Sequence, residues 1–245
     1  MKSLRIILLI FVPLFVLGFF ISTLYKWNYI QHTQHYPDEF NIPNLRVGYD
    51  ANKNRIDDSV DIVEGAKEFV AKNPKHEIFT EYSSGFPNKN VGSNGDPVAY
   101  AFRYAGYDLQ KLINDDIQKN PEAYDSSRPQ SENAAFRDVK NLEVYFSRYA
   151  DKHDNDYYNL NDWQTGDVVF FEKNHCAVVA DRVNDNGVRF IIHLFWEHQA
   201  GYFQDILETN AWGKVTGHYR ASSRMLSPKT DNPTSKQSVK TTITE

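Results

Sequence analysis

The chain holds one cysteine, Cys176, in 245 residues. A single thiol excludes an internal disulfide and any metal site built from several cysteines, and it leaves thiol catalysis one candidate. Positive charge is also in short supply. The formal net charge is -5, and residues 1–27 contain Lys2, Arg5 and Lys26 without an acid, so the remainder sets 24 basic against 32 acidic side chains. Phosphate binding needs a basic surface, so a nucleic-acid partner is excluded. No internal repeat is visible, and neither a cofactor nor a metal is expected.

Long uncharged runs are confined to the N-terminus. Ile6 to Leu24, "IILLIFVPLFVLGFFISTL", has nineteen residues without a charge. At about 1.5 Å per residue it spans about 28 Å, close to the ~30 Å hydrocarbon layer of a bilayer. Pro13 and Gly18 resemble the break before a signal-peptide cleavage site, but no A-x-A pattern follows. The favoured expectation is an uncleaved anchor over residues 1–27, with Tyr25 to Trp27 at the outer interface and the globular part outside.

Residues 28–45 are polar and proline-marked and read as a tether, residues 46–221 as one domain, and residues 222–245, rich in Ser, Thr, Lys and Pro, as a disordered tail. Inside the domain, helical patterns come first. "DSVDIVEGAKEFVAKN" places Ile62, Val63, Ala66, Phe69 and Val70 on one stripe, with Asp58 or Ser59 as N-cap. "DPVAYAFRYAG" has Asp96 as cap and Pro97 at the first helical position. "YDLQKLINDDIQKN" is capped by Asp108, and "FRDVKNLEVYFSRYA" supplies a fourth stripe. After Trp163 the period changes to two. "GDVVFFE", "HCAVVAD", "VRFIIHL" and "GHYRA" are β-branched and aromatic, separated by turns such as Asn184 to Gly187. Helices followed by an antiparallel sheet make an α+β fold.

His175 and Cys176 are neighbours in sequence, which invites a thiol–imidazole pair. On a strand, successive side chains point to opposite faces, so these two cannot meet. Cys176, with Val178 and Ala180, is expected in the core as a small hydrophobe.

"WQTGDVVFF" (163–171), "HCAVVAD" and "IIH" ending at His193 are similar to the barrel half of the NlpC/p60 cell-wall cysteine peptidases, which have a papain-like fold. Across roughly residues 60 to 222, "DIVEGAKEF", "YSSGFPNKNVG", "AFRYAGYDLQKLINDDI", "VKNLEVYFSRYA" and "TGHYRA" resemble the segments of a relative of that superfamily, DUF1287, in the same order. In that family Gly-Val-Cys-Thr-Asp precedes the "AFRYAGYDLQKL" helix and carries the nucleophile. The corresponding residues here are Gly92, Ser93, Asn94, Gly95 and Asp96. Asn94 therefore stands where the thiol belongs, and a carboxamide is not a nucleophile, although it donates and accepts hydrogen bonds. The resemblance makes His175 the base position and His193 the residue orienting it. Their bland reading is a pair of inherited, buried histidines without a task.

Ser93 is an outside candidate for a substitute nucleophile with His175 as base, but a serine needs an oxyanion hole and close placement and this one sits one residue off register; Asp167 reads as a turn or strand-start residue. "HLFWEH" (193–198) has the wrong spacing for a zinc peptidase, and "DKHDND" (151–156) lacks the glycine and terminal glutamate of a calcium loop. Tyr82, Phe86, Tyr100, Tyr104, Phe195 and Trp196 are expected mainly in the core. The resulting expectation is a membrane-anchored, extracytoplasmic, catalytically degenerate protein that binds peptidoglycan peptide or an envelope partner. The alternative is an active cell-wall amide hydrolase using a substitute nucleophile with His175 and His193.

Overall fold

The apolar N-terminal run forms one helix, α1 (Lys2–Lys26), with Pro13 inside it. None of the stretch Leu9–Lys26 is buried against the rest of the chain. An apolar helix of this length at an N-terminus acts as a signal sequence or a membrane anchor. The structure is a computed structural model that describes residues 2–26, 29–195 and 199–226; Trp27, assigned above to the interface, lies outside them.

The segment expected as a free tether is laid along the domain. His35 and Val183 exchange backbone hydrogen bonds at 2.9 and 3.0 Å, a short 3-10 turn follows at Pro37–Phe40, and Ile42 is buried. His32 reaches the Asp205 carboxylate at 2.6 Å through Nδ1 and the Tyr25 carbonyl at 2.5 Å through Nε2.

The first domain helix, α2 (Asp58–Ala71), is capped by Asp57, whose carboxylate accepts from the Ser59 N–H. Asp58 and Ser59, expected as caps, are already helical, and Asp58 instead accepts from the Tyr107 hydroxyl at 2.6 Å. The predicted stripe from Ile62 to Val70 is buried. Two short parallel strands, β1 (Lys75–His76) and β2 (Val91–Gly92), flank a long loop. Then come α3 (Asp96–Tyr104), α4 (Leu109–Lys119) and α5 (Val139–Tyr149), the last two capped by Asp108 and Asp138.

The chain next forms β3 (Asp151–Lys152), β4 (Val168–Phe171), β5 (His175–Val183), β6 (Arg189–Phe195), β7 (Gln199–Gln204) and β8 (Val215–Arg220), closing with α6 (Ser223–Leu226). Five antiparallel strands follow the helices, with two-residue β3 added at the edge in the order β3-β8-β4-β5-β6-β7. The architecture is mixed α+β, as the order of patterns predicts. The tail boundary moves: Met225 is fully buried and Ser222 Oγ donates to the Tyr149 carbonyl at 2.6 Å. Residues 227–245 lie outside the described residues.

Both faces of the sheet are covered. Cys176, Val178, Ala180 and Ile192 join the helices in one cluster around Phe102 and Phe146. Ala177, Val179 and Ile191 form a second with Trp163, Ile206 and Leu207. A strand buried on both faces carries apolar residues without alternation, which is why "CAVVA" after His175 is apolar throughout.

Candidate functional site

The segment from Gly92 to Asp96 is shaped by one buried ion pair. Asp96 and Arg137 are both fully buried and bonded through two oxygens and two nitrogens, Arg137 Nη2 to Asp96 Oδ2 at 2.8 Å and Arg137 Nε to Oδ1. Two charges survive in such a place only when paired and further hydrogen-bonded. Arg137 Nη1 also donates to the carbonyls of Thr80 and Gly85 at 3.0 and 3.4 Å, tying the β1–β2 loop to the start of α3. Asp96 Oδ2 accepts from the Ser93 N–H at 2.6 Å. Asp96 is thus the first helical residue rather than the cap, and Gly95 holds the cap position, with Pro97 one residue later than expected. Gly95 passes so close to Arg137 that a Cβ would lie 2.0 Å from its carbonyl oxygen. Only glycine fits there.

Asn94 stands just before this helix and faces the sheet. Its Nδ2 donates to the Asn174 carbonyl at 3.0 Å, and its Oδ1 lies 3.0 Å from His76 Nε2. A carbonyl can only accept, so the amide NH2 must face Asn174; the oxygen then faces His76, and His76 Nε2 must carry the hydrogen. The Asn94 carboxamide therefore staples the entry of α3 to the β4–β5 turn, one residue ahead of His175. Asn174 has φ 53° in that turn.

Cys176 and His175 take opposite faces. Cys176 points to the helices, donating to the Asn94 backbone carbonyl at 3.3 Å. Burial, then the charges of Asp96, Glu143 and Asp138, push its thiol well above the ordinary range. A thiolate nucleophile at neutral pH is excluded at this position.

His175 is fully buried on the other face. Its Nε2 lies 2.9 Å from His193 Nδ1 with the two rings nearly perpendicular, and the Trp212 indole stacks on it with centroids 3.9 Å apart. Burial, then the neighbouring His193 and His76, hold His175 well below the usual imidazole range. Burial likewise lowers His193 to about 4, against partly opposing hydrogen bonds to Gln204 and the Leu194 backbone. Both rings are neutral at pH 7 and share one hydrogen between them. His175 Nδ1 has no hydrogen-bond partner among the described residues.

The structure thus brings His175 and His193 into contact and sets Asn94 against the turn beside them, bonded to His76 rather than to either ring. Ser93 Oγ lies 3.3 Å from Asp96 Oδ2, and among the described residues no histidine hydrogen-bonds to it. Asp167, read as a strand-start residue, is buried at the entry to β4, where it holds His218 at 2.9 Å and Arg220 at 2.7 and 2.8 Å. Phe86 packs beside the helical core, Tyr82 donates to Glu77 at 2.5 Å, and Tyr104, expected in the core, is exposed although its Cβ sits close to Gly65 of α2. Trp196 and His198 lie outside the described residues. Within residues 151–156, Asp154 accepts from the Asp156 N–H, an internal turn bond. Among the described residues no group of three or more His, Cys, Asp or Glu is placed to hold a metal ion.

Sequence reasoning missed His76, Asn174, Trp212 and the Asp96–Arg137 pair. His76, Arg137 and Trp212 have no spacing signal because each reaches the site from a distant part of the chain, and Asn174, although it precedes His175, acts through its backbone carbonyl, which no side-chain pattern marks. The one local hint was "FRD" at 136–138, a charged pair opening an apolar helix.

The profile of "Domain of unknown function (DUF1287)" matches residues 63–221. The chain is also similar to "Uncharacterized protein YijF" of Escherichia coli (strain K12), at 32% identity over 191 residues that cover 73% of this chain and 87% of that protein. No solved structure matches significantly. With the profile spanning most of the globular region and a relative aligned over nearly its whole length, the chain belongs to the DUF1287 family.

Proposed function

We propose that this is a membrane-anchored, extracytoplasmic protein with an NlpC/p60-like, papain-type domain whose catalytic site has been converted into a binding site. Its ligand is peptidoglycan peptide or a peptide segment of an envelope partner. One observation carries the reading: the nucleophile position before α3 holds Asn94, with its carboxamide bonded to His76 and Asn174, while the only thiol is sealed in the opposite core. An amide donates and accepts hydrogen bonds as a peptide does, so the position suits recognition of a peptide rather than attack on it. His175 Nδ1, without a partner among the described residues, supplies a second hydrogen-bonding atom, a donor or an acceptor according to which imidazole carries the shared hydrogen. The anchor reading draws support from His32, whose contact with the Tyr25 carbonyl depends on the end of α1 staying attached.

The competing reading, an active amide hydrolase, needs a nucleophile against His175. Ser93 turns to Asp96 instead. The purified chain mixed with peptidoglycan fragments is expected to bind them and leave them intact, and Asn94→Cys is expected to introduce thiol-dependent cleavage. Fragment cleavage by the native protein that disappears in His175→Ala would defeat the binding reading.

A further inference from the structure

The chain contains two Asn-Gly dipeptides, Asn94–Gly95 and Asn186–Gly187. Without a Cβ, glycine lets its backbone nitrogen approach the preceding side-chain amide closely, so both are chemically open to cyclisation. Their surroundings differ. In the β5–β6 hairpin the Gly187 N–H is committed, donating to the Asn184 carbonyl at 2.9 Å. At the entry of α3 the Gly95 N–H has no acceptor among the described residues. The neighbouring Asn94 Oδ1 accepts from His76 Nε2 at 3.0 Å.

We propose that Asn94 is a site of self-catalysed deamidation, with His76 as the group that polarises its amide. The Gly95 nitrogen attacks Asn94 Cγ and a new N–Cγ bond forms. The proton leaving Gly95 passes to Nδ2, the Cγ–Nδ2 bond breaks, and ammonia departs. The resulting cyclic imide takes up one water and opens to aspartate or isoaspartate, so neither oxidant nor reductant is needed. Negative charge develops on Oδ1 in the tetrahedral intermediate, and that is the atom His76 faces. A donor already in place there lowers the barrier as an oxyanion hole does.

The reaction would change the structure where it matters. Asn94 now donates to the Asn174 carbonyl, whereas a carboxylate can only accept. Two oxygens would then face each other, and the tie between α3 and the turn leading to His175 would open. The inference is independent of the ligand-binding reading, since it needs no ligand.

The test is to hold the full-length chain in detergent at neutral pH and follow amide loss at each dipeptide by peptide mapping, with ammonia release as a second readout. Asn94 is expected to convert faster than Asn186 in the folded protein, with the two rates converging in denaturant. His76→Ala is expected to slow conversion at Asn94 by roughly tenfold or more, from the cost of removing one oxyanion donor, and to leave Asn186 unchanged. His76→Gln, which keeps an N–H donor, is expected to retain much of the rate and guards against misreading a misfolded variant. Conversion at Asn94 no faster than at Asn186, or an unchanged rate in a folded His76→Ala protein, would overturn the proposal.

Discussion

Two buried polar clusters flank the same sheet, and they are finished to different degrees. At the β4–β8 edge, His218 has both ring nitrogens bonded, to the Asp154 carbonyl at 2.7 Å and to Asp167 at 2.9 Å. Asp167 also holds Arg220 through both oxygens, and Trp163 stacks on the imidazole with centroids 4.3 Å apart. At the start of β5, His175 has a comparable tryptophan stacked on it, but one ring nitrogen has no partner among the described residues and the ring faces a second neutral imidazole instead of a carboxylate. The Trp163 indole nitrogen is itself buried without a partner among the described residues, so the contrast lies in the imidazoles: one bonded at both nitrogens is held rigidly, whereas a buried nitrogen left unpaired costs free energy. The first cluster is scaffold. The second leaves His175 Nδ1 unpaired among the described residues, which is the feature the binding proposal rests on.

The sharpest way to break this contrast is to remove its anchor. Asp167→Ala leaves a partly buried guanidinium and a buried imidazole without their carboxylate, and is expected to cost about 3 kcal/mol by denaturant unfolding, the low end of the penalty for splitting a buried charged pair. His175→Gln is expected to cost about 1 kcal/mol. Equal losses would abolish the distinction between the clusters. A smaller effect separates the two faces of β5: Cys176 is expected to resist a thiol reagent in the folded protein by at least about a hundredfold relative to the denatured chain, because access requires opening of the core. Rapid labelling in the native state would place the sulfur on the wrong face.

The mildest test is acid. His193 is held at about 4 in the folded protein, against 6.5 unfolded, and His175 is lowered in the same direction. The unfolded chain therefore binds protons first as pH falls. Stability from keeping these rings neutral is complete above about pH 6.5 and is lost progressively toward pH 4. The melting temperature should drop through that window, and the double change of His175 and His193 to glutamine should flatten the slope. A slope unaltered by that change would mean other groups carry it.

Much of the scaffold was legible from the sequence because its determinants are local. The α2 stripe, the Asp108 cap, the turn at Asn184 to Gly187 and the alternation that separates His175 from Cys176 each lie within a dozen residues of what they specify. Strand β7 was missed because "QAGYFQ" alternates poorly, and the contacts of the segment before the domain, His35 with Val183 and His32 with Asp205, left no local signal because they are with residues far along the chain. The site shows the same divide. His193 and His175 meet across neighbouring strands, whereas Asn94 meets His76, a residue with no motif around it. The Asp96–Arg137 pair, separated by forty-one positions, sets the start of α3 and left only a faint trace in either local pattern.

The docking of His32 has a consequence for where such a domain could operate. With one imidazole touching both the last turn of α1 and the carboxylate of Asp205, the leash has almost no slack. If α1 stays in a bilayer, the face of the domain around Asp205 is held close to the membrane surface.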